Sequence, residues 1–544
     1  MFHRLYRFHI LSLALILIWP GAGKVFTQGH HHDEESIGEV NFPISCASSA
    51  SEFNQAMSLF HHMTYPQARA KFQAIAAKDS LCAMAYWGMA MTLFQPVWPT
   101  RPGPADLEWG WQLIQKAKSL QPPTRREQLL IASCEAFFRD PKSGDYWKRI
   151  RAWADGLETC HSAFPDDDEI SALYALSLIA TVPPDQVTSP NNARAADILL
   201  KIMQKNPRHP GAMHYLIHAN DAPDRERESQ DILQKYAGIA PYNPHALHMP
   251  THIYTRLGNW ENVISGNIKA ADAALQFPAG DHGQFIWDEF PHAIEYLVYA
   301  YLQSGYDEAA AEQLKRLRGT ERIEPTFKTA FHLSSTLARY TLERRDWSAA
   351  AGIMPREISQ LDWNKFPWPE ATAWFARGLG SIHMGNLPDA KSSLGKIDNL
   401  EKKAVDAGEA LFARNIRVLR LELSAWIVNA EGIKDSSVRL MTQAGELEAS
   451  TPKHAVTPGP TLPAYEQLGD LLFEQKKYSD AVKAYARSLE LYPRRYNSLL
   501  GLARAARATE DSKLAADYYR QWIDLAGSGS RTEAIREARD FLSK

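Results

Sequence analysis

The sequence predicts an all-α protein, a solenoid of about nine or ten helical hairpins. Three observations predict it. The chain has 544 residues, too many for one compact core but suited to an array in which each unit packs only on its neighbours. No segment of any length alternates with the two-residue period of a strand. Large and small residues also recur at a fixed period. Tyr465, Leu468, Gly469, Ala481, Tyr485 and Pro493 mark one unit over 462–495, and Leu499, Leu502, Ala515 and Tyr519 continue its register. The small residues let two helices approach closely, and the large ones fill the gap to the next pair.

Composition narrows the class. Apolar residues make up 45% and charged residues 23%, so the chain folds rather than remaining disordered. The net charge is −3 and no dense Lys/Arg stripe is present, which argues against nucleic acid as a partner. Arg4 and Arg7 precede a short apolar run over 10–19, and the small residues Pro20-Gly21-Ala22-Gly23 follow. Residues 1–23 therefore read as a secretory signal, too short to span a bilayer; a retained signal anchor is the alternative. No cysteine follows closely, which argues against lipid attachment there. We expect export to the periplasm or beyond, with no membrane span after signal removal. Residues 24–44 read as a flexible start. His30, His31 and His32, followed by Asp33, Glu34 and Glu35, form either a metal-capturing tract or a solvated N-terminus.

The chain has four cysteines and no CxxC. Cys46 and Cys82 bracket a predicted hairpin whose outer ends lie together, so a disulfide between them is one reading and two buried thiols the other. Cys134 and Cys160 lie at unequal distances from their turn and are not expected to pair.

The N-terminal repeats span 45–205. Tyr65, Ala68 and Phe72 mark a second helix there, and Tyr86-Trp87-Gly88 opens the next first helix. Trp87, Trp109 and Trp111 are assigned to packing, and Trp98 to the edge of a groove. Central repeats span 206–360, with Gly258-Asn259-Trp260 at one turn, then Gly305 with Ala310 and Trp347 with Ala350. Gly385 and Ala390 mark the repeats of 361–450, and the clear pair lies in 451–544. Pro-rich insertions interrupt the array at 95–104, 181–190, 277–291, 363–369 and 451–463. Such insertions often carry binding residues.

The register over 462–495 resembles the tetratricopeptide repeat, a helix–turn–helix unit that stacks into a right-handed α-solenoid. The segments HPGAMHYLIHAND and PHALHMPTHIYTRLG are similar to those of exported bacterial tetratricopeptide proteins. The resemblance implies a scaffold that holds a protein or peptide segment in its concave groove. It supplies a fold more than an activity.

His214 and His218 are four residues apart, as are His248 and His252, and the second pair follows the first by 34 residues. Four residues are about one helical turn, so each pair shares a face, and 34 residues is one repeat. Counted from Pro210 and Pro244, both pairs take the fifth and ninth places of a first helix, on the groove side. His245 takes a second place and Asp221 a twelfth. The next units put His292, Glu295 and Tyr299, then His332, Ser335 and Arg339, at the second, fifth and ninth places. Asp281, His282, Trp287, Asp288 and Glu289 lie in the insertion between, placed to fold over the groove.

Two imidazoles from each of two neighbouring helices suit a transition metal, copper or zinc in an exported protein. The ligand candidates are His214, His218, His248 and His252. Asp221, His245, His292 and Glu295 are further ligands or orient the imidazoles. Tyr299, His332 and Arg339 line the groove. The competing reading is a polar, pH-sensitive groove without metal, with His245 capping its helix and His332 packing. Pro250, between His248 and His252, either kinks a helix or stands in the first turn of one that starts late.

Two functions follow. One is a binding scaffold, with or without a structural metal. The other is a metal-dependent enzyme, with Glu295 or Asp221 as general base and Tyr299 and Arg339 polarising the substrate. Neither pair has the Glu of HExxH metalloproteases, and the chain has no GxSxG and no Gly-rich phosphate loop.

Overall fold

The computed structural model describes residues 37–543, apart from 99–100, 184–185, 187–188, 281–282, 357–360, 527 and 530. The signal segment 1–23 and the tract at 30–32 lie outside the described residues, as do Asp281 and His282.

Helices follow one another in antiparallel pairs, from Ala50–His61 with Tyr65–Lys78 to Tyr496–Ala508 with Ser512–Ala526, and Thr532–Leu542 closes the array. The architecture is an all-α solenoid. Among the described residues, strands are confined to Pro278–Ala279 paired antiparallel with Phe285–Ile286, inside the 277–291 insertion. The close approach of paired helices has the cause read from the sequence. A Cβ added at Gly469 would lie 2.5 Å from the Tyr485 ring, so no larger residue fits that crossing. One apolar core runs from Phe42 to Ile253 and another from Phe331 to Ala538, with a smaller one between them. No helix among the described residues is long and apolar enough to cross a membrane.

Cys46 and Cys82 form a disulfide, while Cys134 and Cys160 are free and buried. Their burial pushes the Cys134 thiol well above its usual range and the Cys160 thiol up to about 12.

The array also curls onto itself. At one end, Ala50–His61 packs on Pro210–Asn220. At the other, Trp260 Nε1 donates to the Arg494 carbonyl at 3.0 Å, and Arg494 returns a bond to the Gly258 carbonyl at 3.2 Å. Gly258 has φ +64°, and a Cβ there would lie 2.6 Å from the Pro493 carbonyl oxygen, so both the turn and the contact require glycine. The central repeats are thereby held between the two ends of the chain.

The insertion at 451–463 runs into their concave side as a strap. Tyr296 donates to the Thr457 carbonyl at 3.0 Å. Arg339 donates to the Pro460 carbonyl at 2.6 Å, to Thr457 Oγ1 at 2.9 Å and to the Gly459 carbonyl. Residues 457–460 thus bond to Arg339, one of the side chains expected to line the central groove, and to Tyr296 beside it.

Candidate metal centre

HYLIH lies on the helix Pro210–Asn220, which starts at a proline and is capped by His209, whose Nδ1 accepts from the Ala212 N–H. HMPTH spans Pro244–His248 and Pro250–Arg256. Met249 between them keeps right-handed helical angles, φ −52° and ψ −41°. Pro250 thus takes the kinked reading: the chain stays helical across a residue that can donate no hydrogen bond. Asn243, and not His245, caps this helix, its side chain accepting from the Ala246 N–H.

Six buried or nearly buried imidazoles form two triads. His214, His218 and His245 make one; His248, His252 and His292 make the other, and within each the ligand-capable atoms lie within 4.8 Å of one another. The four predicted ligands therefore fall into two groups. Each group takes the pair on one first helix and the second-place histidine of the next.

The outer nitrogens decide what the inner ones present. His214 Nδ1 lies 2.6 Å from the His61 carbonyl, and His245 Nδ1 lies 3.2 Å from Glu289 Oε2. His248 Nδ1 lies 2.6 Å from Asn267 Oδ1, whose amide nitrogen donates to the Val263 carbonyl and so fixes which way the amide faces. His252 Nδ1 lies 3.0 Å from Asp221 Oδ2. Each of these partners only accepts, so each Nδ1 carries a proton, and in the neutral ring each Nε2 then carries a lone pair. Those lone pairs converge. His214 Nε2 is 3.2 Å from His245 Nε2, and His248 Nε2 is 3.0 Å from His252 Nε2. Two lone pairs at that distance repel, and a cation between them removes the conflict. Two bonds of about 2.0–2.1 Å at a tetrahedral angle would set the nitrogens about 3.3 Å apart.

The third member of the second triad conforms. His292 Nδ1 lies 2.9 Å from His332 Nε2, and His332 Nδ1 lies 2.5 Å from Glu295 Oε2. Since Glu295 accepts, the protons run outward along this relay, leaving His292 Nε2 with its lone pair. Arg339 holds the other Glu295 oxygen at 2.7 Å. His218 Nε2 is buried with no hydrogen-bond partner.

Burial favours the neutral form of His214, His218, His248, His252 and His292, the form a metal needs. Burial drives His214, His248 and His292 well below the ordinary imidazole range, and neighbouring histidines add to it. Burial takes His218 down to about 3, and burial with Lys453 takes His252 down to about 4. The anchoring carboxylates behave oppositely. Burial pushes Asp221 up, but Lys453, Arg256 and His252 outweigh it and hold it well below its usual value. Lys328 and His245 do the same for Glu289, and His332 and Arg339 keep Glu295 low, again against burial.

A cavity of about 30 Å³ lies between the triads, lined by His218 and His245 from one and His252 and His292 from the other. Trp98 and Val456 close it. Trp98 stacks on Trp287 at 6.2 Å, and Lys328 Nζ sits 4.1 Å over its ring. A larger cavity of about 240 Å³ borders Asp221, Tyr299, Lys453, Glu422 and Glu448.

The remaining candidates are anchors. Glu295 is held by His332 and Arg339, and Asp221 by His252, Arg256 and Lys453, so each carboxylate orients an imidazole. Tyr299 accepts from Arg495 at 2.9 Å and lies away from the triads. Sequence reasoning missed Asn267, Lys328, Lys453 and Glu422. It also missed a third buried cluster of His61, Glu169 and His209. The adjacent His61-His62 pair was a visible signal; Glu169 had none, since its partners lie on other hairpins.

Comparison with known proteins bears on the fold. The family model for the tetratricopeptide repeat matches residues 466–530. No curated protein matches the chain. Among solved structures, the chain is similar to one described as the crystal structure of APC/C hetero-tetramer Cut9-Hcn1, with 13% identity over 91% of this chain and 90% of that one. The TM-score is 0.33.

Proposed function

We propose, for a chain that carries tetratricopeptide repeats over 466–530, an exported scaffold whose core holds a copper or zinc centre on the two histidine triads. The carrying observation is the pair of Nε2···Nε2 contacts at 3.2 and 3.0 Å, with each outer Nδ1 facing an acceptor. His214, His218, His245, His248, His252 and His292 would hold the metal. Glu289, Asn267, Asp221 and Glu295, the last through His332, would hold the rings in place. An all-imidazole set suits copper or zinc and not the hard cations that want oxygen. The repeats imply a protein partner. That partner would be a protein or peptide segment held in the groove beside residues 451–463, where a cavity of about 240 Å³ remains.

Three nitrogens per ion favour the second reading, a metal-dependent enzyme. Structural zinc is closed by four protein ligands, whereas a reactive metal keeps a position for water or substrate.

Elemental analysis of the protein purified from an exporting host tests the proposal. A variant with His214, His218, His248 and His252 all changed to Ala runs beside it, with circular dichroism as the folding control. We expect bound copper or zinc, lost in a still-helical variant. No metal in either protein after incubation with both ions would overturn it.

A further inference from the structure

Resting on the metal reading above, we infer that the two triads form one two-ion centre that takes a single small anion, such as hydroxide or azide, bridging its ions. Three observations lead there.

The first is the shared cavity. His218, His245, His252 and His292 all border the same space of about 30 Å³. That is room for about one water-sized ligand. An ion on each triad has three protein nitrogens and one position left, and the space outside both sets is this one. A ligand placed there faces both ions at once. Two-metal sites with a shared ligand hold their ions about 3.5–4 Å apart.

The second is charge. Four carboxylates stand around the triads, and each is matched by a cation: Asp221 with Arg256 at 2.5 Å and Lys453 at 3.1 Å, Asp288 with Lys328 at 2.8 Å, Glu289 with the same Lys328, and Glu295 with Arg339 at 2.7 Å. The four acids and four bases cancel, and the six imidazoles are neutral donors. Two divalent ions would bring charge that nothing in the protein offsets, and in a buried site that strongly favours an anionic ligand.

The third is the boundary. Val97, Trp98, Met249, Ala455 and Val456 supply apolar walls, and His218 Nε2 is buried without a hydrogen-bond partner. Lys328 and Glu289 also border the space but are paired with each other, so the walls offer little to hydrogen-bond a larger polar ligand, which suits a small anion held by the ions themselves.

The test is copper loading of the full chain. Copper(II) is added in excess, unbound metal is removed, and copper per chain is measured together with the spin intensity in electron paramagnetic resonance. Azide is then titrated and followed by its charge-transfer absorption. We expect two coppers per chain, a spin intensity well below that of two isolated ions, and one azide per two coppers. Two coppers at full isolated intensity, each taking its own azide, would overturn the bridge while leaving the metal reading intact. One copper per chain would also overturn it. No copper would remove the metal reading itself. Val456→Phe fills the cavity from the strap. It should keep two coppers and lose azide binding by at least tenfold, and unchanged azide binding in this variant would contradict the placement. Should that variant fail to fold by circular dichroism, the wild-type spin count decides alone.

Discussion

The His61–Glu169–His209 cluster and the two central triads are built from similar side chains at similar depth, yet their protons are arranged in opposite senses. In the first cluster the protons point inward. His61 Nε2 donates to Glu169 Oε2 at 3.0 Å; His209 Nε2 lies 3.3 Å from Glu169 Oε1 without a hydrogen bond to it, and carries the hydrogen of the neutral ring because its Nδ1 accepts. Their lone pairs point outward and are used: His61 Nδ1 accepts from the Tyr215 hydroxyl at 2.9 Å and His209 Nδ1 from the Ala212 N–H at 3.0 Å. In the central triads, His218 apart, the protons point outward and the lone pairs inward. Proximity of three potential ligands therefore says little. The outer hydrogen bond of each imidazole decides whether its inner face offers a lone pair or a proton. The first cluster ties together hairpins distant in sequence; the central triads have the arrangement that the proposed cation would need.

The sharpest way to break this comparison is to remove ligands. His248→Ala with His252→Ala should abolish metal at one triad and halve the total, read by elemental analysis. His61→Gln should leave metal content unchanged. Equal losses from both would erase the distinction. A smaller effect is expected from the anchors. Asn267→Leu leaves the His248 Nδ1–H without an acceptor and should weaken metal affinity by about 10- to 100-fold, measured by chelator competition. Unchanged affinity would mean that Asn267 does not set the tautomer.

In the first cluster, Glu169→Gln replaces a charged acceptor of two N–H groups with a side chain that accepts through one oxygen. It should cost about 2 kcal/mol in denaturant unfolding with metal content intact, in line with a hydrogen bond to a charged group. A loss of metal would contradict its purely structural place.

The smallest effect concerns pH, away from both clusters. Burial and the neighbouring Glu448 raise Glu422 well above the usual carboxylate range, and burial pushes Glu448 up to about 8. The folded state therefore binds more protons than the unfolded state between about 4.5 and about 8. Stability from this pair is full below about 4.5 and declines as pH rises to about 8. Glu448→Gln should flatten that slope in unfolding curves taken across the window. An unchanged slope would place its origin elsewhere.

The solenoid was legible because its signature is local. Gly469, Ala481 and Tyr485 repeat a packing rule within one hairpin, and the helices that begin at Pro210 and Pro244 carry both a proline and a side-chain cap at their start. The histidines were legible in part for the same reason: period and helical turn put His214, His218, His248 and His252 on neighbouring first helices. The regrouping into two triads follows from a register detail also present in the sequence. The second-place residues His245 and His292 lie beside the preceding helix's pair, and His332 repeats that relation against Glu295. What the sequence could not show is what reaches the site from afar. The His61 carbonyl that orients His214 lies 153 residues away. The Thr457 carbonyl that bonds Tyr296 lies 161 residues away. Those contacts depend on how far the superhelix curls before its ends meet. That curl is the sum of small rotations at every hairpin, with no single residue encoding it. For the same reason the bonds that residues 457–460 make to Tyr296 and Arg339 could not be read from the repeats.

The most direct test of the account is anomalous scattering from crystals soaked in zinc or copper. The account predicts strong peaks within ligand distance of His214, His218 and His245 and of His248, His252 and His292, with none at His61, Glu169 and His209. An ion at the last cluster, or none at the central triads, would contradict it.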